Sequence, residues 1–148
     1  MNRKALQKLS YGVYLVTTAQ NGKSYGCVAN SAMQITSSPA QIAVSINHDQ
    51  IAQSGKFALS ILATDTDPAL IGGFGYRSSR DADKFAGVPS AEHDGMPVPD
   101  AAMAWITCRV VKIMTAGTHT IFLGEVTDCE LNRADGIPMT YLYYHTVI

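Results

Sequence analysis

The chain has 148 residues, 47% of them hydrophobic and 16% charged, with a formal net charge of −1. One domain of this length can bury a real core, and the composition is too apolar for a disordered chain. No basic cluster gives nucleic acid an electrostatic footprint, and no apolar run is long enough to span a membrane as a helix.

Asn2 to Ser10 suits a short amphipathic helix, with Ala5, Leu6 and Leu9 on one face and Lys4 and Lys8 on the other. The apolar run Tyr11 to Val16 behind Arg3, Lys4 and Lys8 is short, broken by Gly12 and lacks a small-x-small cleavage site, so no targeting segment is expected. Tyr11 to Thr18 reads as a strand. Asn21-Gly22 follows as a hairpin turn, because both positions tolerate positive φ. The return strand runs from Ser24 into the polar stretch Cys27 to Thr36.

That stretch carries Asn30, Ser31, Gln34 and Thr36 among small apolar residues, and Ser37-Ser38-Pro39 turns it into a second strand, Gln41 to Ile46. Hydroxyls and amides on such a frame suit close approach to a planar polar ligand with a phosphate tail. They equally suit a strand–turn–strand whose polar groups face water.

His48 to Gln53 suits a turn or two of helix, stopped by Gly55. Lys56 to Leu62 reads as a strand with Phe57, Leu59 and Ile61 on one face. Asp65-Thr66-Asp67-Pro68 starts a helix over Ala69 to Tyr76. Its glycines make it weak, so something must pack closely on it. Arg77 to Arg80 reads as a loop, and Asp81 to Phe85 as another short helix. Gly87 to Asp100, with its prolines, reads as a surface connection. Ala104 to Met114 and Thr120 to Leu131 form a long hairpin about Gly117. Asp135-Gly136 is a further turn, and Met139 to His145 closes the chain with Tyr141, Tyr143 and Tyr144.

Cys27, Cys108 and Cys129 are far apart and form no Cys-x-x-Cys, and the histidines lack ligand spacing. Neither a disulfide framework nor a zinc site is expected, and a reducing cytoplasm fits best.

These segments resemble the flavin reductase-like family of FMN-binding split β-barrels. The likeness rests on Leu9 to Thr17, on Ala29-Asn30-Ser31 with Gln34 to Pro39, and on Ser54 to Leu62. Asp83-Lys84-Phe85-Ala86-Gly87-Val88 and Gly117 to Val126 complete it. It implies a mainly β, antiparallel Greek-key split β-barrel with short peripheral α-helices, spanning 1–148 as a single domain. It further implies a homodimer holding FMN near the interface, with NAD(P)H as co-substrate and a redox protein as one class of acceptor.

By that likeness Ala29, Asn30, Ser31 and nearby amides hold the flavin. Gln34 and Thr36 lie near the ring or ribityl chain, and Ser45 and Asn47 beside the phosphate. Lys84 neutralises phosphate charge, with Phe85 packed nearby. On residue type alone, Lys84 is as readily a solvated helix charge.

Gly117-Thr118-His119 resembles the family's Gly-Asp-His element, so His119 stands at the nicotinamide contact with Thr118 in place of the usual Asp. A histidine beside a strand turn is also often structural. Where the family usually has a longer loop and helix between Asn47 and Ser54, this sequence carries His48 to Gln53. A flavin reductase needs no general base or nucleophile, because the two cofactors carry the hydride step. A flavoredoxin-like electron carrier, and a flavin-binding module with no turnover, are the other functions open to such a chain.

Overall fold

The computed structural model describes residues 1–47, 50–75 and 83–148. Its first five strands are β1 (Tyr14–Gln20), β2 (Lys23–Ala29), β3 (Ala32–Ser37), β4 (Ala40–Ile46) and β5 (Lys56–Ile61). A small pair follows, β6 (Ser90–His93) and β7 (Met96–Pro99), and then two long strands, β8 (Ala104–Ala116) and β9 (His119–Leu131). Seven of these form one antiparallel sheet, ordered β2-β1-β5-β8-β9-β4-β3. The connection from β4 to β5 returns the chain from one end of the order to a place beside β1, as a Greek key requires.

The sheet curls until β2 comes near β4, so that Cys27 and Ala29 share one buried cluster with Val44 and Ile46. The short β2–β3 link spans this seam, and Ser45 N–H donates to Ser31 O at 2.9 Å, extending the β3–β4 pairing into it. The result is a split barrel, which leaves little open edge.

Turn chemistry sets the register. Asn21 and Gly22 take φ of 53° and 75°, the two positive values that a tight hairpin needs. Inside the barrel, Val16, Phe57, Leu59, Cys108 and Phe122 complete the cluster. Gly124 lets β9 cross it: a Cβ there would sit 2.6 Å from Cys108 Cβ and 2.7 Å from the Phe57 ring.

The expected surface connection between Gly87 and Asp100 is in fact the β6–β7 hairpin. Asp94 and Gly95 supply positive φ of 51° and 78°. Met96 and Val98 point inward and pack with Ala58, Ala102 and Trp105. That hairpin is why β5 is buried on both faces, with Phe57 to Ser60 all inside, rather than on the single face its alternation suggests.

The helices are short. The N-terminal segment is a 3-10 helix, Arg3–Lys8, with no buried residue. Helix α1 spans Gln50–Ser54 and ends at Gly55, whose φ is +73°. Helix α2 spans Pro68–Gly75, and Asp67 Oδ1 accepts from Ala69 N–H at 2.9 Å. Close packing on α2 comes through Gly26 of β2, where a Cβ would meet the Phe74 ring at 2.7 Å. Asp83 to Gly87 is turn rather than helix, with Phe85 N–H donating to Asp83 Oδ1. The expectations for residues 76–82 lie outside the described residues. The C-terminal tyrosines fall on a helix, α3 (Tyr141–Val147), capped by Thr140 Oγ1 accepting from Tyr143 N–H at 3.0 Å. Among the described residues no helix is long and apolar enough to cross a membrane.

Candidate functional site

A cavity of about 230 Å3 opens at the seam of the split barrel. Three pieces of backbone bring its wall together. The β2–β3 link supplies Asn30 and Ser31, the end of β4 supplies Ser45 and Asn47, and the first residue of β9 supplies His119. Ala29, at the end of β2, completes this side. Six residues expected at a flavin site from widely separated segments thus share one cavity: Ala29, Asn30, Ser31, Ser45, Asn47 and His119.

The polar groups here are little used by the protein. Ser31 Oγ donates to Asn30 Oδ1 at 2.8 Å. Among the described residues, no hydrogen bond engages the Ser45 hydroxyl or the Asn47 side-chain amide. His119 is the exception: its Nδ1 lies 2.9 Å from Thr118 Oγ1, so Thr118 steadies the ring.

Four expected residues lie elsewhere. Gln34 and Thr36 are on β3, away from the cavity lining, and Gln34 Nε2 donates along its own strand to Thr36 O at 3.2 Å. Lys84 is 3% exposed, and its Nζ donates to Gly26 O and Phe74 O, each at 2.8 Å. It ties α2 to β2 rather than reaching the cavity. Phe85 meets the Phe74 ring edge to face at 5.0 Å, in the cluster beneath α2.

The sequence reading missed the opposite wall, where α3 places Tyr141 and Tyr144 against the cavity. Their spacing of three puts both on one helical face. Thr140 followed by a run without Gly or Pro was the available signal of that helix. Cys27 also lines the cavity. Burial pushes its thiol up to about 11, only partly opposed by the nearby Lys84 charge. Burial of this kind favours the neutral thiol over the nucleophilic thiolate.

The donor set fits the ring system of a flavin: aromatic and apolar faces with hydroxyl and amide groups at the edge. The phosphate fits less completely. Among the described residues lining the cavity there is no lysine or arginine, so hydroxyls and backbone N–H groups would have to meet that charge. The described residues contain no cluster of metal-ligating side chains.

Comparison with known proteins bears on the whole barrel. Residues 6–147 match the model of the flavin reductase like domain. The chain is 42% identical to a high molecular weight rubredoxin of Moorella thermoacetica, over 99% of this chain and 67% of that protein. It is 41% identical to a ferric-chelate reductase (NAD(P)H) of Archaeoglobus fulgidus, over 98% of this chain and 89% of that protein. Among solved structures, the flavin reductase PheA2 in its native state superposes with a TM-score of 0.79 at 35% identity, covering 93% of this chain and 89% of that one. A cavity lined by hydroxyls, amides and tyrosines at the seam of a split barrel, in a chain matched almost end to end, belongs to a member of the flavin reductase-like family.

Proposed function

We propose that residues 1–148 act as one domain, an NAD(P)H:FMN oxidoreductase that passes electrons on to a downstream acceptor. The observation that carries this reading is the convergence of Asn30, Ser31, Ser45, Asn47 and His119 on one cavity in a flavin reductase-like chain. When bound, FMN supplies the chemistry of accepting hydride from a nicotinamide. The protein's part is orientation. Asn30 and Ser31 hold the polar edge of the ring, Ser45 and Asn47 meet the tail, and Tyr141 and Tyr144 close the opposite wall. His119, steadied by Thr118, donates to the nicotinamide amide or diphosphate and aligns it with the ring; it moves no proton.

Relatives of this chain are named as a ferric-chelate reductase using NAD(P)H and as a rubredoxin. Both names suit an electron donor to a further acceptor, a redox protein included. Cys27, Cys108 and Cys129 are free thiols, which suits the cytoplasm.

The assembly we propose is a twofold homodimer. Register aligns Met33, Ala43 and Leu123 on one outward face of the sheet, beside Ile121 and Met114. Met33 is 64% exposed and Met114 55%. An apolar face on strands is what a symmetric interface covers. Light scattering showing only monomer at micromolar concentration with FMN bound would rule it out.

The decisive experiment is anaerobic addition of NADH or NADPH to the FMN-loaded protein, followed at the flavin absorption band. Bleaching is expected. A flavin that stays oxidised with both nucleotides would reject the oxidoreductase and leave an electron carrier fed by a protein.

A further inference from the structure

Beside the cavity lies a larger groove that the chemistry above does not use. Its volume is about 560 Å3, and it runs between the N-terminal segment and α3. Backbone fixes its floor: Tyr141 N–H donates to Tyr11 O at 2.9 Å, and Gly12 bridges to Thr140. Leu9, Tyr11, Tyr141 and Leu142 form the walls. The rings of Tyr11 and Tyr141 meet edge to face at 6.3 Å, and His145 packs on Tyr141 at 4.2 Å. Leu9 and Leu142 remain 58% and 72% exposed, so apolar surface is held open to solvent.

Two features define what would fill this groove. Lys8 and His145 are its ionisable nitrogen groups, and no carboxylate is among the described residues lining it. Aromatic and apolar walls with a cation at the rim select a flat conjugated ring that carries an anionic group. The second feature is position. Tyr141 lines both this groove and the first cavity, so one aromatic side chain stands between the two.

We propose that the groove binds a planar conjugated anion, such as a quinone bearing a sulfonate or carboxylate, as the second substrate of the flavin centre. This assignment rests on the oxidoreductase reading. The overall reaction balances as NAD(P)H + H+ + quinone giving NAD(P)+ + quinol. The nicotinamide C4–H bond breaks, its electron pair ends on the quinone, and the two quinone oxygens gain two hydrogens; bound FMN would supply the two-electron capacity between the two substrates. One of these is equivalent to the hydride hydrogen, and the other is a proton from water.

The test titrates anthraquinone-2-sulfonate calorimetrically into the oxidised, FMN-loaded protein. Stoichiometric binding with FMN retained is expected. Leu142→Asp sets a carboxylate against the anion in an apolar wall, on a side chain too exposed to matter for folding. It should weaken binding by roughly tenfold or more. Lys8→Ala should weaken it several-fold at low salt, and added salt should erase that difference. No binding, binding indifferent to Leu142→Asp, or displacement of FMN by the quinone would each overturn the assignment. NADH and NADPH are then added anaerobically, in turn, to fresh FMN-loaded protein that holds no quinone. Bleaching by either nucleotide without groove binding in the calorimeter rejects the groove alone; a flavin unbleached by both rejects the oxidoreductase reading and the second-substrate role with it.

Discussion

The β6–β7 side of the barrel and the cavity seam use similar side chains to opposite ends. Under the hairpin, the polar side chains of Asp94, Thr107, Thr127, Lys56 and Thr17 are engaged, whereas the buried Ser60 hydroxyl on β5 has no partner among the described residues. Asp94 Oδ2 accepts from Thr107 Oγ1 at 3.0 Å and Thr127 Oγ1 at 2.6 Å, and Lys56 Nζ donates to Asp94 O at 2.8 Å. Thr17 Oγ1 donates to Pro97 O at 2.6 Å, and His93 stacks on Trp105 with centroids 3.9 Å apart. At the seam, among the described residues, Ser45 and Asn47 keep their side chains unengaged and the Asn30 side chain bonds only to its neighbour Ser31. A satisfied polar cluster fixes a fold, whereas polar groups left facing a cavity are ready for a ligand. That contrast separates the residues that build the barrel from those that serve its site.

The greatest loss is expected on the hairpin side. Trp105 is 5% exposed and forms the floor on which Met96 and Val98 rest. Trp105→Ala should cost about 3–5 kcal/mol of stability in a denaturant titration. A loss under about 1 kcal/mol, the ordinary range for surface changes, would mean the hairpin is an ornament. The contrast between the two sides would then fail.

Lys84 is the stricter case, because it was expected at the site and is found in the structural half. Replacing it by Met removes a buried donor from the carbonyls of Gly26 and Phe74. Lys84→Met should lower apoprotein stability by about 1.5–3 kcal/mol. An unchanged apoprotein with weakened FMN affinity would return Lys84 to the phosphate.

His119→Ala tests the other half. It should leave FMN bound and the fold intact while costing on the order of 1–3 kcal/mol in kcat/KM for NAD(P)H. Stopped-flow reduction at the unmutated rate would make His119 a structural residue. Asn30→Ala should be milder still, weakening FMN by about 0.5–1.5 kcal/mol with little change in apoprotein melting. Equal losses of stability and affinity would erase the distinction between seam and hairpin.

What could be read from the sequence follows the same division. Local turn chemistry was plain: Asn21-Gly22, Gly55 and Gly117 all adopt the positive φ their positions suggested. The long β8–β9 hairpin was plain too, since its runs are β-branched and bounded by turns. Asp94-Gly95 carries the same signal as Asn21-Gly22 but sits among prolines, whose removal of donors argues against strands. Lys84 stands between Asp83 and a phenylalanine in a charged stretch, and nothing local says that its ammonium is buried against two carbonyls. Tyr141 and Tyr144 lie on a helix too short for periodicity to speak. Asn30, Ser31, Ser45, Asn47 and His119 converge only because the sheet curls, so resemblance rather than spacing pointed to them as a group.

The weakest effect concerns acid, and it isolates the carboxylate at the heart of the hairpin contacts. The hydroxyls of Thr127 and Thr107 hold Asp94 below its ordinary value of 3.8, with the charges of Lys56 and His93 adding to this. A carboxylate depressed in the folded state favours folding while it is ionised. Its contribution is therefore complete above about pH 4 and lost as pH falls through the lower folded value. The group is open to solvent, so the effect is modest and screened by salt. Asp94→Asn keeps an acceptor for the two threonines but removes the titration. The variant should unfold at slightly lower denaturant than the parent at neutral pH. Below about pH 4 the gap should narrow, as the parent's carboxylate becomes protonated. The seam offers the control: no carboxylate is among the described residues lining the cavity, so Asn30→Ala should shift stability equally at both pH values. A parent–variant gap at Asp94 that stays constant from neutral pH down to about pH 3 would show that Asp94 holds the hairpin by shape and neutral hydrogen bonds, and not by charge.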